Sequence, residues 1–264
     1  LLTGGSVKCW GMNNRGQLGD GTSGTDRNTP VPVLDITNVT SIALGGDHSC
    51  ALLTDGSIKC WGKNDFGQLG DGSRTDRLTP VGGLVFETAT KIAAGYYHVC
   101  VVLMDGTLRC WGMGDWGRLG DGVVRGGSTY RLEPVKVDSI TTARDISLGE
   151  HSCAVLNNGE AKCWGAGGMG HLGNGQTNHA YSPVLVSEIT TATSISVGRF
   201  HSCALLTGGK VKCWGTNSYG QLGDGISTGI TLAVEVSGIT AMSIASGWLY
   251  SCALLTDGSV KCWG

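Results

Sequence analysis

The chain has 264 residues, 45 of them Gly and only 5 Pro, with 15% charged residues and a formal net charge of -2. Abundant Gly without a Gly-X-Y period excludes a collagen-like chain, and 41% apolar residues exclude a disordered one. No basic run suits a nucleic-acid backbone, and no apolar run approaches the roughly 20 residues of a membrane span, so neither nucleic acid nor a membrane span is expected.

The chain opens on LLTGGSVKCWG, and the tripeptide CWG begins at Cys9, Cys60, Cys110, Cys163, Cys213 and Cys262, at intervals of 49 to 53 residues. A period near 50 signals a propeller or a solenoid. Residues 1–264 are therefore expected to form a single repeat array of five full periods and a partial one. Without an initiator Met, and starting and stopping inside the repeated phrase, the array is expected to be a piece of a longer chain.

One unit holds four short runs in order. SIALG (Ser41–Gly45) comes first, then SCALL after a His, then IKCWG after the turn Thr54-Asp55-Gly56. The Gly-rich loop KNDFGQLGDG follows, and last comes a run beside a proline, such as TPVPVL (Thr29–Leu34). Short β-branched or apolar runs between Gly and Asp are strands and turns, and four per period is the content of one propeller blade.

Gly5, Gly56, Gly106, Gly159, Gly209 and Gly258 hold one place in all six copies of the turn. A three-residue loop ending in a left-handed glycine would pair Leu53 with Ser57 and set Cys50 opposite Cys60. A two-residue Asp55-Gly56 turn would instead set Cys50 opposite Trp61. On the first register five disulfides are expected: Cys50–Cys60, Cys100–Cys110, Cys153–Cys163, Cys203–Cys213 and Cys252–Cys262. Cys9 is the remainder, its partner expected before the first residue. Buried free cysteines are the alternative. Zinc fits less well, because two thiolates on one hairpin supply half a tetrahedral site.

The phrases WGxNxxGQLGDG and AxGxxHSCALLxDGxVxCWG resemble the repeats of the regulator of chromosome condensation family, over essentially the whole chain. The resemblance implies an all-β fold, a β-propeller of four-stranded blades that is usually seven-bladed, of which this chain would be a part. It also implies alternatives for function. The founding member is a nucleotide-exchange factor for a small GTPase, but its projecting β-wedge has no counterpart here. The plant UV-B photoreceptor carries a Gly-Trp-Arg-His-Thr motif that is absent. A secreted bacterial inhibitor of β-lactamase is similar at its Gly-x-x-His corner, and the cysteine-rich repeat most resembles secreted or surface proteins of bacteria. The recurring Trp10, Trp61, Trp111, Trp164, Trp214 and Trp263 are expected to pack between blades.

In an antiparallel meander the first and third connections share one side. The first carries the variable residues Asp47, Tyr96, Tyr97, Glu150, Arg199, Phe200, Trp248 and Leu249. The third carries Arg15, Phe66, Trp116, Met169 and Tyr219. Eleven of these thirteen are aromatic, aliphatic, Met or Arg, whereas drift alone favours small polar residues. They are the candidate binding face for a protein partner.

No catalytic residue, metal site or cofactor is expected. His48, His98, His151 and His201 recur a blade apart, too far to share a metal, and Tyr250 replaces the fifth, so they are expected to be structural hydrogen bonders. Asp20, Asp71, Asp121 and Asp224, with Asn174 in the fourth copy, suit turns better than calcium. His171 and His179 fall in variable loops without an evident partner. Gly225–Gly229 matches GxSxG outside its strand-turn-helix context. Asn38-Val39-Thr40 is a glycosylation sequon. The expected function is a non-enzymatic protein-binding scaffold, extracellular or at the cell surface. The alternatives are a self-assembling protein of a surface layer, sheath or fibre, an exchange factor for a small GTPase, and a hydrolase using the loop 123–133.

Overall fold

The computed structural model describes residues 1–86, 88–124 and 129–264, so part of the loop 123–133 lies outside the described residues. The chain forms two compact units, Leu1–Asp115 with Arg125–Lys136, and Trp116–Val124 with Val137–Gly264.

In the first unit, β1 (Lys8–Gly11) pairs with β2 (Arg27–Pro32). Two four-stranded sheets follow. One is β3 (Val39–Leu44), β4 (His48–Leu53), β5 (Ser57–Gly62) and β6 (Arg77–Val85). The other is β7 (Ala89–Ala94), β8 (His98–Leu103), β9 (Leu108–Met113) and β10 (Tyr130–Lys136). The second unit begins with the sheet of β11 (Ala143–Leu148), β12 (His151–Leu156), β13 (Ala161–Gly165) and β14 (Ala180–Leu185). Next are β15 (Ala192–Val197), β16 (His201–Leu206), β17 (Val211–Gly215) and β18 (Ile230–Glu235). A three-stranded sheet closes the unit: β19 (Ala241–Ser246), β20 (Ser251–Leu255) and β21 (Val260–Trp263). Every sheet is an antiparallel meander in sequence order, the blade of an all-β propeller fold. Among the described residues the helical pieces are two 3-10 turns, at Asp115–Gly117 and Thr207–Gly209.

The β4–β5 register decides the turn. Leu52 faces Ile58 and Cys50 faces Cys60, leaving a three-residue loop. Gly56 closes it at φ 78° and donates its N–H to the Leu53 carbonyl at 3.0 Å, a conformation that costs glycine least. The two-residue alternative is thereby excluded. All five cysteine pairs lie directly opposed and disulfide-bonded, with Cα atoms 4.1 Å apart.

These pairs belong to the packing between blades. Cys50, Leu52, Ile58 and Cys60 form one buried cluster with Ile92, Val99, Val101 and Trp111 of the next sheet. Cys153, Val155, Ala161 and Cys163 do the same with Ile195, Ala204, Leu206 and Trp214. Trp61, Trp111, Trp164 and Trp214 are buried, as inter-blade packing requires, and Trp263 is half-buried. Trp10 departs from the expectation at 62% exposed. The buried indoles each rest on the Gly-rich loop of the copy before, and Trp10 has no such loop within this sequence.

Candidate protein-binding rim

In three copies the third connection folds around a buried asparagine, whose place Gly114 and Gly167 take in the other two. Asn64 donates from Nδ2 to Asp71 Oδ1 at 3.1 Å and to the carbonyls of Ser73 and Thr75, while its Oδ1 accepts the Leu69 N–H at 3.0 Å. Asn13 and Asn217 repeat the clasp. The aspartates of LGDG thus have turn partners: Asp20 accepts from Asn13 and Thr22 and pairs with Arg27 at 2.8 Å. Burial opposes the charge of Asp20, but the Thr22 and Arg27 hydrogen bonds outweigh it and hold the carboxyl below its usual range.

The same loop carries the next blade. The indole N–H of Trp61, Trp111, Trp164, Trp214 and Trp263 donates to the carbonyl of Gln17, Gln68, Arg118, His171 and Gln221 respectively, at 2.9–3.0 Å. Ser49, Ser152 and Ser251 donate to the carbonyls of Gln17, Arg118 and Gln221. The histidines are linked to the next blade through that serine position. His151 Nε2 lies 2.6 Å from Ser202 Oγ, and His201 Nε2 lies 2.9 Å from Ser251 Oγ. Val99 stands where His48 would find its serine, and neither nitrogen of buried His48 has a partner. Burial, with a smaller contribution from the charge of Lys63, pushes His48 down to about 4. Burial, with His171 nearby, does the same to His201, and burial also brings His171 to about 4. His151 and His201 are thus the structural hydrogen bonders expected, whereas His48 departs from that expectation and packs without a hydrogen bond because Val99 replaces the serine.

Upon this frame sit the variable residues, with first and third connections on the same side. In the first unit Phe66 and Tyr97 meet edge to face at 5.2 Å, and Tyr96 meets Tyr97 at 4.7 Å. Lys63 lies over the Tyr97 ring at 5.2 Å and pairs with Asp47 at 3.7 Å and Asp65 at 3.5 Å. Arg15 is exposed and pairs with Asp76 at 3.3 Å.

In the second unit five candidates, Trp116, Glu150, Arg199, Phe200 and Trp248, are linked through Arg118 into one stripe. Trp116 covers the guanidinium of Arg118 at 4.5 Å and stacks on His179 at 5.6 Å. Arg118 is buried and donates from Nε to the Glu150 carbonyl at 2.9 Å and from Nη2 to the Glu150 carboxylate. Glu150 also stands 3.9 Å from Arg199. Arg199 is sandwiched between Phe200 at 4.5 Å and Trp248 at 4.4 Å, and Phe200 stacks on His171 at 5.5 Å. His171 in turn stacks on His151 at 5.4 Å. Met169 and Tyr219 are exposed, and Leu249 is half-buried.

Three residues in this stripe escape sequence reasoning. Arg118 and His171 occupy the place that is Gln in the other copies, and only that departure signals them. His179, expected to lack a partner, accepts the Gly167 N–H at 3.1 Å as well as stacking on Trp116. Glu150 is 7% exposed and lies beneath the rim as a counter-ion. Gly225–Gly229 lies in the loop before β18, with no helix after it. Among the described residues no group of three or more His, Cys, Asp or Glu is placed to hold a metal ion, and no helix is long and apolar enough to cross a membrane.

The model of the RCC1-like domain matches residues 1–264. The human probable E3 ubiquitin-protein ligase HERC4 is 30% identical over 200 residues, 73% of this chain; the chain spans 14% of that relative's length. Human WBSCR16 has a similar structure, with a TM-score of 0.82 and 22% identity over 93% of this chain and 66% of its own. Prp20p of Saccharomyces cerevisiae, described with its binding properties to Gsp1p and histones, likewise has a TM-score of 0.82 and 22% identity, over 95% of this chain and 64% of its own.

Proposed function

This chain belongs to the RCC1-like domain family, and we propose that it is a non-enzymatic, extracellular protein-binding scaffold that presents the variable connections of its blades to a protein partner. One observation carries the reading. The frame repeats the indole-to-loop hydrogen bond blade after blade, while the residues above it change and leave large aromatic side chains in solvent. Trp116 is 48% exposed, Trp248 50% and Tyr219 64%, and none of these exposed faces is needed by the packing below. Trp, Tyr and Arg are the residues that dominate binding energy at protein interfaces. A protein partner also agrees with what is said of Prp20p. The ligase name of HERC4 describes a chain of which this one spans 14%, and ligase activity is no part of the proposal.

The experiment is capture of partners from the source organism's medium, with the wild type and with a variant carrying Ala at Tyr96, Tyr97, Trp116 and Trp248. A partner held by the wild type and lost by the variant is the expected result; equal retention overturns the rim as the site. Solution mass measured against concentration separates the scaffold, whose mass stays constant, from a sheath or fibre protein, whose mass rises.

The extracellular setting rests on the five cysteine pairs, since disulfides persist in oxidising compartments. Titration of denatured, unreduced protein should find the single thiol of Cys9. Eleven thiols would remove the bridges and place the protein in a reducing compartment.

A further inference from the structure

Asn is followed by Gly twice in the sequence, at Asn158-Gly159 and Asn174-Gly175, and both pairs fall in the fourth copy of the repeat. Each stands where other copies carry Asp-Gly. Asn158 takes the place of Asp55, Asp105 and Asp257 in the turn, and Asn174 that of Asp20, Asp71, Asp121 and Asp224 in the loop. We infer that Asn158 is a site of spontaneous covalent modification, at which water displaces the side-chain amide as ammonia and the turn acquires a carboxylate. The site is independent of the rim, because the turn joins β12 to β13 on the opposite side of the blade.

The chemistry needs only the turn and water. The Gly159 backbone nitrogen gives up its proton to solvent base and attacks Cγ of Asn158. A new N–C bond closes a cyclic imide, and the Cγ–Nδ2 bond breaks to release ammonia. Water then opens the imide at either carbonyl. Opening at one gives aspartate; opening at the other gives isoaspartate, whose main chain is longer by one carbon. Asn is thermolabile in general, and a following glycine puts no side chain in the path of ring closure.

The structure separates the two Asn-Gly pairs. In both, the amide oxygen accepts the N–H two residues on, from Glu160 to Asn158 at 3.0 Å and from Gln176 to Asn174 at 3.1 Å. Such a bond folds the side chain back along its own main chain and polarises the carbonyl that is attacked. The pairs differ in what holds the attacking nitrogen. The Gly159 N–H donates to the Leu156 carbonyl at 3.0 Å, inside its own turn, and Asn158 is exposed. The Gly175 N–H donates to the Thr231 carbonyl at 3.0 Å, on β18 of the next sheet, and Asn174 is half-buried. Freeing the first nitrogen takes fraying of a turn tip, whereas freeing the second takes separation of a loop from a neighbouring sheet. The glycine is also obligatory at the first pair, where φ is 86° and a Cβ would stand 2.5 Å from the Thr190 carbonyl oxygen. The aspartyl product fits the turn, since Asp55, Asp105 and Asp257 accept the same N–H at 2.9 Å in their copies. The Cys153–Cys163 bond ties the two strands together below whichever product forms.

The test is peptide mass mapping of the full chain aged near neutral pH in water enriched in heavy oxygen, once folded and once in urea. The expected result is loss of ammonia and uptake of one solvent oxygen in the peptide that carries Asn158. That peptide should split into two isomers, of which a protein isoaspartyl methyltransferase labels one. In the folded chain Asn174 should convert about tenfold or more slowly than Asn158, because its glycine nitrogen is released by the rarer opening. In urea that difference should disappear, so the protection of Asn174 is read directly as a property of the fold. Asn158→Gln should abolish the modified peptide, and Asn158→Asp should keep the thermal midpoint of the wild type. An unmodified Asn158 in the folded chain overturns the inference, and so does conversion of Asn174 as fast as Asn158 in that state. A clear fall of the midpoint in Asn158→Asp overturns the fit of the product to the turn.

Discussion

Lowering the pH from 6.5 to 4 is expected to strip this fold of several kcal/mol of stability through its buried histidines. His48, His171 and His201 are each pushed down to about 4 from the ordinary 6.5, chiefly by burial. In the unfolded chain each accepts a proton near pH 6.5, whereas in the folded chain it stays neutral until about pH 4. Their contribution is therefore complete above pH 6.5 and is lost as pH falls through 4. Each residue accounts for on the order of 3 kcal/mol across that window. Asp20 and Asp71, whose carboxyls lie below 3.8, act only at lower pH. The check is the thermal midpoint followed from pH 7 to 4, with His48→Asn as the variant that flattens the slope. A midpoint unchanged over that range contradicts the account of the histidines.

Trp164→Ala should cost about 3–5 kcal/mol, the loss expected for a buried aromatic, whereas Trp116→Ala should stay within about 0.5 kcal/mol. Trp164 is 0% exposed and its indole N–H donates to the Arg118 carbonyl at 2.9 Å. Its ring also lies so close to Gly120 that a Cβ there would stand 2.8 Å from Nε1. Truncation opens a cavity between blades and leaves the loop that carries Arg118 without its anchor. Trp116 lies above the frame with 48% of its surface exposed. Denaturant midpoints of the two variants separate these roles. Equal losses contradict the division between frame and rim.

That division was partly legible in the sequence. The constant glycine of the turn narrowed the hairpin to two registers, and the structure shows the one that sets Cys50 opposite Cys60, because hairpin register follows from loop length. Alternation of the connections placed Phe66 with Tyr97, and Arg199 beside Trp248, on common patches. What was not legible depends on side chains from distant positions. Arg118 and Glu150 are 32 residues apart, and nothing in either connection alone shows that the carboxylate turns under the rim. The stacking of Trp116 on His179 likewise depends on how two loops of different length close.

Hydrogen exchange of the chain with and without its captured partner tests the central claim most directly, because it maps contact along the whole chain without altering any residue. The account predicts slowed exchange in the first connections, at residues 45–47, 95–97, 149–150, 198–200 and 247–249, and in the third connections around Trp116, Met169 and Tyr219. The Asp-Gly turns at 55–56, 105–106 and 257–258, on the opposite side of the blades, should exchange as in the free chain. Protection confined to those turns, with the rim unchanged, would contradict it.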